Sequence, residues 1–300
     1  MILVMIIIKL FISGEKKMKL DGLDELQQFN FSEDIDMMTE VFDVSRDELF
    51  KLIGISDIRN KTNIDQLYDF CYNNGFYIND IKWQEYRELF DGISEDVFCH
   101  GSRSGIKGEI NLSISTNMND FGQGFYLGQT IKQAGMFVSE SENSSIYLFK
   151  FDMNNLSKVV FNTEVDWMLA ISYYRDLLPQ YKDHKRIKNI IDKIDKCDFV
   201  IAPIADNRIF ELVDAFANNM LTDKQTMHAL SATYLGYQYV LKSNKALSQL
   251  EVLDRCYLCP IERSNYNHAN DIESNTSLNK ARLAKYRYKN QGLYIDDILS

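Results

Sequence analysis

The apolar positions between residues 18 and 92 recur with a helical period. Ile35, Met37, Met38, Val41 and Phe42 form one face behind Ser32, which reads as an N-cap with Glu33, Asp34 and Asp36 in or near the first turn. After a break at Val44–Ser45, Ser45 is expected to cap a second helix bearing Leu49, Phe50, Leu52 and Ile53. A third helix, over about Asn63–Asn73, sets Ile64, Leu67, Tyr68 and Cys71 on one side and ends at Gly75. Two helices across a tight turn with a third beside them is the pattern of a helix-turn-helix module. It is also the pattern of a small bundle packed on a neighbour.

From Val97 the texture changes. Short β-rich runs appear at Val97–Cys99, Ser145–Phe151, Val159–Phe161, Phe199–Ala202 and Tyr237–Leu241. Helical periodicity lies between them, over Thr130–Ser139, Glu164–Leu178 and Ile209–Asn218. Leu221 to Tyr237 reads as a loop. Strands and helices do not alternate as regular βαβ units, so the expected class is α+β. No GxGxxG follows a strand and no Walker loop is present, which argues against Rossmann and P-loop sites. No internal repeat is seen. From about Glu262 the chain is polar to Leu278, then basic and aromatic through Lys280, Arg282, Lys285, Tyr286, Arg287, Tyr288 and Lys289. This run reads either as a solvated helix face or as a nucleic-acid contact. Ile295, Ile298 and Leu299 are expected to dock the end. The organisation is thus an extension over 1–17, a small all-α domain over 18–92, an α+β domain over 95–260 and a tail with a helix over 261–300.

Composition narrows the reading. An apolar share of 45% with three prolines in 300 residues describes a folded chain. A net charge of -10 disfavours broad nonspecific binding to nucleic acid. In the helical segment acids outnumber bases by more than two to one, so the helix carrying Arg46, Asp47, Glu48 and Lys51 attracts phosphate poorly and makes a weak case for DNA. Five scattered cysteines suit a reduced, cytoplasmic setting. Cys256 and Cys259 form a lone Cys-x-x-Cys, too few ligands for a structural zinc, and no metal is expected. Met1–Ile12 is shorter than the roughly twenty apolar residues that span a bilayer, and it lacks signal-peptide features, so no membrane association is expected. Gly14–Lys17 can be encoded by a purine run resembling a ribosome-binding site, so Met18 is the expected start of translation and residues 1–17 a non-native extension.

The candidate chemistry lies in three short runs: His100-Gly101-Ser102, Asp120-Phe121-Gly122-Gln123-Gly124-Phe125-Tyr126, and Gln238-Tyr239-Val240. Together they suit a nicotinamide and its ribose. Gly101 allows close backbone approach to a carboxamide and Ser102 adds a hydroxyl. His100 would orient a ribose hydroxyl, Tyr126 would stack on the ring, and Phe121 or Phe125 would form a second wall. Gly122 and Gly124 permit a tight loop. Cleaving the nicotinamide–ribose bond builds positive charge on the sugar, which the site must favour. Asp206 or Glu211 could supply negative charge, although Asp206 and Arg208 also suit a structural loop anchor.

These runs resemble the three-part His, Tyr, Glu signature of ADP-ribosyltransferases of the diphtheria-toxin and poly(ADP-ribose) polymerase type. More closely, Val97 to about Cys256 resembles a bacterial family catalogued as domain of unknown function 3990, grouped with that fold. Asp166-Trp167-Met168 and Ala202-Pro203-Ile204-Ala205-Asp206-Asn207-Arg208 add to the match. The resemblance implies a split β-sheet core and NAD as co-substrate. His100, Tyr126 and Gln238 would be the catalytic set, with Gly101, Ser102, Phe121, Gly124 and Phe125 binding NAD. It implies transfer of ADP-ribose to a protein or nucleic-acid acceptor. A toxin or phage-defence setting and an antitoxin or regulatory partner fit the relatives. NAD hydrolysis and a catalytically inactive NAD-binding or DNA-binding module are the rival readings. Gln238 stands where such transferases usually carry Glu. It accepts the same hydrogen bond but has no charge. Gly236 stands where arginine-modifying relatives carry Glu or Gln, which argues against arginine as acceptor.

Overall fold

The computed structural model describes residues 29–90, 95–205, 207–232 and 236–300. The expected extension and the start at Met18 lie outside them. The chain is α+β and divides into two compact units, each discontinuous in sequence. Of the described residues, one holds those up to 109 with 130–152 and 250–269, and the other holds those in 110–129, 153–249 and 270–300.

The first unit opens with helices α1 (Phe31–Phe42), α2 (Arg46–Ile53), α3 (Lys61–Asn73) and α4 (Ile78–Leu89). Ser45 caps α2 as expected, in a capping box with Glu48. Gly54 and Gly75 close α2 and α3 with φ of 83° and 78°, their amides bonding back to Lys51 and Tyr72. Ser32 is not the cap of α1. The helix starts at Phe31, behind Asn30, because Phe31 is buried against the Tyr68 and Tyr257 rings and so the helix begins two residues early. Asn60 caps α3, two residues before the expected start. Helix α4 has no side-chain cap at Tyr77, so no start signal marks it in the sequence.

Strands β1 (Glu95–Ser102), β3 (Ser145–Asp152) and β7 (Leu250–Tyr257) pair antiparallel with β3 central. Helix α5 (Ile131–Val138), capped by Thr130, packs its Ile131, Ala134 and Val138 with Cys99, Ile146 and Leu148. The four N-terminal helices share one core with Tyr257 and Cys259 at the end of β7, so they pack as a bundle on their neighbour. Buried Lys82 of α4 lies 2.9 Å from Asp34 of α1 and 2.7 Å from Asp254 of β7. Cys256 belongs to the α5 core while Cys259 belongs to the bundle core.

The second unit carries β2 (Phe125–Gly128), β4 (Lys158–Val160), β5 (Phe199–Pro203) and β6 (Tyr237–Leu241), in the order β4-β5-β6-β2. β4 runs parallel to β5, and the other pairs are antiparallel. Helices α6 (Val165–Tyr174), α7 (Lys185–Lys196), α8 (Asn207–Ala217), α9 (Asp223–Ala232) and the short α10 (Asn244–Leu247) belong to it. The expected loop between Leu221 and Tyr237 is therefore largely helix. Its Gln225, Thr226, Ala229 and Leu230 are buried, and tertiary packing outweighs a weakly periodic sequence. Helix α11 (Pro260–Arg287) is much longer than the polar texture suggests, because Ala281 and Ala284 dock in the core. Helix α12 (Ile295–Ile298) ends the chain, with Ile295 and Leu299 buried and Ile298 packed against them.

Candidate functional site

In the first unit, His100, Gly101 and Ser102 occupy the end of β1, opposite Tyr147, Ile146 and Ser145. Strand alternation turns Cys99 and Gly101 toward α5 and His100 to the other face. A Cβ at Gly101 would lie 2.6 Å from the Ala134 carbonyl oxygen and 2.8 Å from Val138 Cγ1. Glycine here lets α5 sit on the strand. His100 is half-buried, with its ring edge-on to Phe149 at 6.5 Å. Ser102 is half-buried at the strand end. The following turn is fixed by Tyr147, whose phenol accepts the Ile106 amide at 2.8 Å, and by Ser141, whose hydroxyl donates to the Arg103 carbonyl at 2.7 Å.

In the second unit, Tyr126 and Gln238 lie on paired strands. Tyr126 faces Val240 and Gly128 faces Gln238, so both side chains belong to one face of the β2–β6 pair. The Tyr126 phenol donates to the Gly122 carbonyl at 2.7 Å and accepts the Phe121 amide at 3.1 Å. Burial, reinforced by the Asp120 charge, pushes this phenol well above the usual tyrosine range. Lys242 holds the same loop from β6, donating to the Phe121 and Gln123 carbonyls at 2.5 and 2.7 Å. Burial pulls the Lys242 ammonium below its ordinary value. Gly122 adopts φ 68° against the Tyr174 ring, and a Cβ at Gly124 would meet the Leu241 carbonyl oxygen at 2.8 Å. Phe121 is wholly buried and stacks on Phe161 at 5.8 Å, while Phe125 is buried in β2. The expected tight loop is present, and its glycines and Phe121 serve to pack it.

Gln238 is 7% exposed. Its Nε2 donates to Asp120 Oδ2 at 2.8 Å and to the Pro203 carbonyl at 3.2 Å. Asp120 pairs through Oδ1 with Arg175 and accepts the Ala205 amide at 3.2 Å. Arg175 also donates to the Ala205 carbonyl at 2.7 Å and lies over the Phe210 ring at 5.0 Å. Both amide hydrogens of Gln238 are thereby committed, which fixes the orientation of the group and leaves Oε1 as its acceptor. Among the described residues no donor bonds Oε1. The structure therefore groups Tyr126, Gln238 and the 120–124 loop in one unit, and His100, Gly101 and Ser102 in the other. Asp206 lies outside the described residues, as does the side chain of Arg208. The carboxylate beside Gln238 is Asp120, whose role the sequence did not show, and Arg175 and Lys242 were not singled out at all.

Comparison with known families gives a match over residues 97–252, just over half the chain, to a family described as "Protein of unknown function (DUF3990)". The matched span takes in all three candidate runs, and the chain belongs to this family. Comparison with curated proteins and with solved structures finds no match. Among the described residues no helix is long and apolar enough to cross a membrane.

Proposed function

We propose that this chain is an ADP-ribosyltransferase-like protein that binds NAD and transfers ADP-ribose to a macromolecular acceptor. The observation that supports it is the pinned amide of Gln238, which presents an oriented acceptor oxygen where related transferases carry a carboxylate. Such an oxygen suits a ribose hydroxyl, and the Tyr126 ring on the same strand-pair face suits the adjoining base. When bound, NAD supplies the ADP-ribosyl group and nicotinamide as leaving group. Gln238 then orients the sugar but adds no negative charge, and the Asp120 charge is already matched by Arg175. Slow turnover is the consequence. That same neutral pair favours a second reading, a module that binds NAD without consuming it.

The test is incubation of the full chain with NAD labelled in its adenylate part and a cell lysate. Labelled macromolecules that disappear with Gln238→Ala support the transferase. Nicotinamide release without labelled macromolecules selects a hydrolase. Binding without either product selects the silent module, and no binding overturns the proposal.

A further inference from the structure

The C-terminal half of α11 has a surface unlike the rest of this acidic chain. Between Asp271–Glu273 and Asp296 the chain carries Lys280, Arg282, Lys285, Arg287 and Lys289 and no acid. Among the described residues none of these five cations enters an ion pair within 4.0 Å. Helical geometry sorts them. Ser277, Ala281 and Ala284 face the core, so the outward face centres on Leu283 and Tyr286, which are 70% and 83% exposed. Arg282 flanks this strip on one side, Lys280 and Arg287 flank it on the other, and Lys289 is exposed in the turn that follows the helix. A shallow groove beside Arg282 and Lys285 is lined by Leu212, Leu278 and Glu211. One turn on, Tyr288 stacks flat on His228, ring centres 3.7 Å apart and planes within 7°.

We infer that this face binds single-stranded nucleic acid. Unpaired cations on both sides of an exposed ring are complementary to a phosphate backbone that presents its bases between them. The aromatic face speaks against a purely acidic peptide, which needs no ring. Ile272, Leu283 and Tyr286 form an apolar strip too narrow for a helix lying in a membrane surface, which buries a broad apolar face. The face is made wholly of residues of the second unit and stands independently of the NAD reading.

The test is fluorescence anisotropy of the full chain with a labelled oligouridylate of about twelve nucleotides. The parallel arms are a duplex of equal length, polyglutamate, and phosphatidylserine–phosphatidylcholine vesicles. The exposed triple variant Arg282→Gln/Arg287→Gln/Lys289→Gln should weaken oligouridylate binding at least tenfold. It should also reduce the slope of log K against log[salt] by about 2. Tyr286→Ala should weaken the single strand about tenfold and the duplex little. Circular dichroism of both variants should match the parent. Three results overturn the inference: oligouridylate binding that is absent, binding unchanged in the triple variant, or equal or tighter binding to polyglutamate or vesicles.

Discussion

Gln238 is the residue on which the proposed chemistry turns. Its amide donates to Asp120 at 2.8 Å, and Asp120 in turn pairs with Arg175, so exchanging Gln238 for a carboxylate does not simply restore a transferase signature. Gln238→Glu sets two buried acids against each other, and one must take up a proton. The single variant should lose about 1–3 kcal/mol of stability at neutral pH by urea denaturation and recover part of it in mild acid. The exchange Asp120→Asn/Gln238→Glu rebuilds an amide–carboxylate pair and should recover most of the loss at neutral pH. A single variant as stable as the parent would contradict the network.

Glu262 offers a second test at this scale. Burial first, and Asp80 beside it, push its carboxyl up to about 8, while Asn79 and Tyr266 bond it. The folded state keeps the proton that the unfolded chain releases above the ordinary carboxylate range. The stabilisation is therefore full below that range and is lost as pH rises through about 8. Glu262→Gln should flatten the fall in melting temperature across this window and exceed the parent at its alkaline end. Parallel curves for the two proteins would show that Glu262 ionises normally.

At the scale of elements, the sequence spoke most clearly where a local signal coincides with packing. The capping box at Ser45 and the left-handed Gly75 placed their helices because the signal and the structure are one hydrogen-bond pattern. Helix α7 was legible but not read, since Ile187, Ile190, Ile191 and Ile194 repeat with helical period and all are buried. Strand β7 was hidden because polar and charged residues interrupt it, two of which, Asp254 and Arg255, are buried. Asp254 belongs instead to the pair of carboxylates around Lys82. Burial works against the Lys82 charge, but Asp254 and Asp34 outweigh it and hold the ammonium well above its ordinary value. Lys82→Met leaves two buried acids without their cation and should cost about 3–5 kcal/mol by chemical denaturation. Replacing Asp34 and Asp254 together with Lys82 by apolar residues of similar size should recover most of that. A single variant of parental stability would mean the bundle is not anchored through this cluster.

At the scale of the whole molecule, the family membership and the three runs were legible because their order along the chain survives without any knowledge of contacts. The partners within the site were not. Asp120 meets Gln238 across 118 positions and Arg175 across 55, and no local pattern announces such pairs. The glycines show the same limit. Gly101 and Gly124 read as room for a ligand, yet the space beside each is filled by the protein's own backbone. In the proposed site the group left to accept a ribose hydroxyl is Gln238 Oε1, held by a committed amide. Titration of NAD into the full chain by isothermal calorimetry tests this most directly. The account predicts one saturable site that Gln238→Ala weakens at least tenfold while Lys193→Gln, exposed on α7 and outside the network, leaves it unchanged. No heat of binding, or equal affinity in the parent and Gln238→Ala, would contradict it.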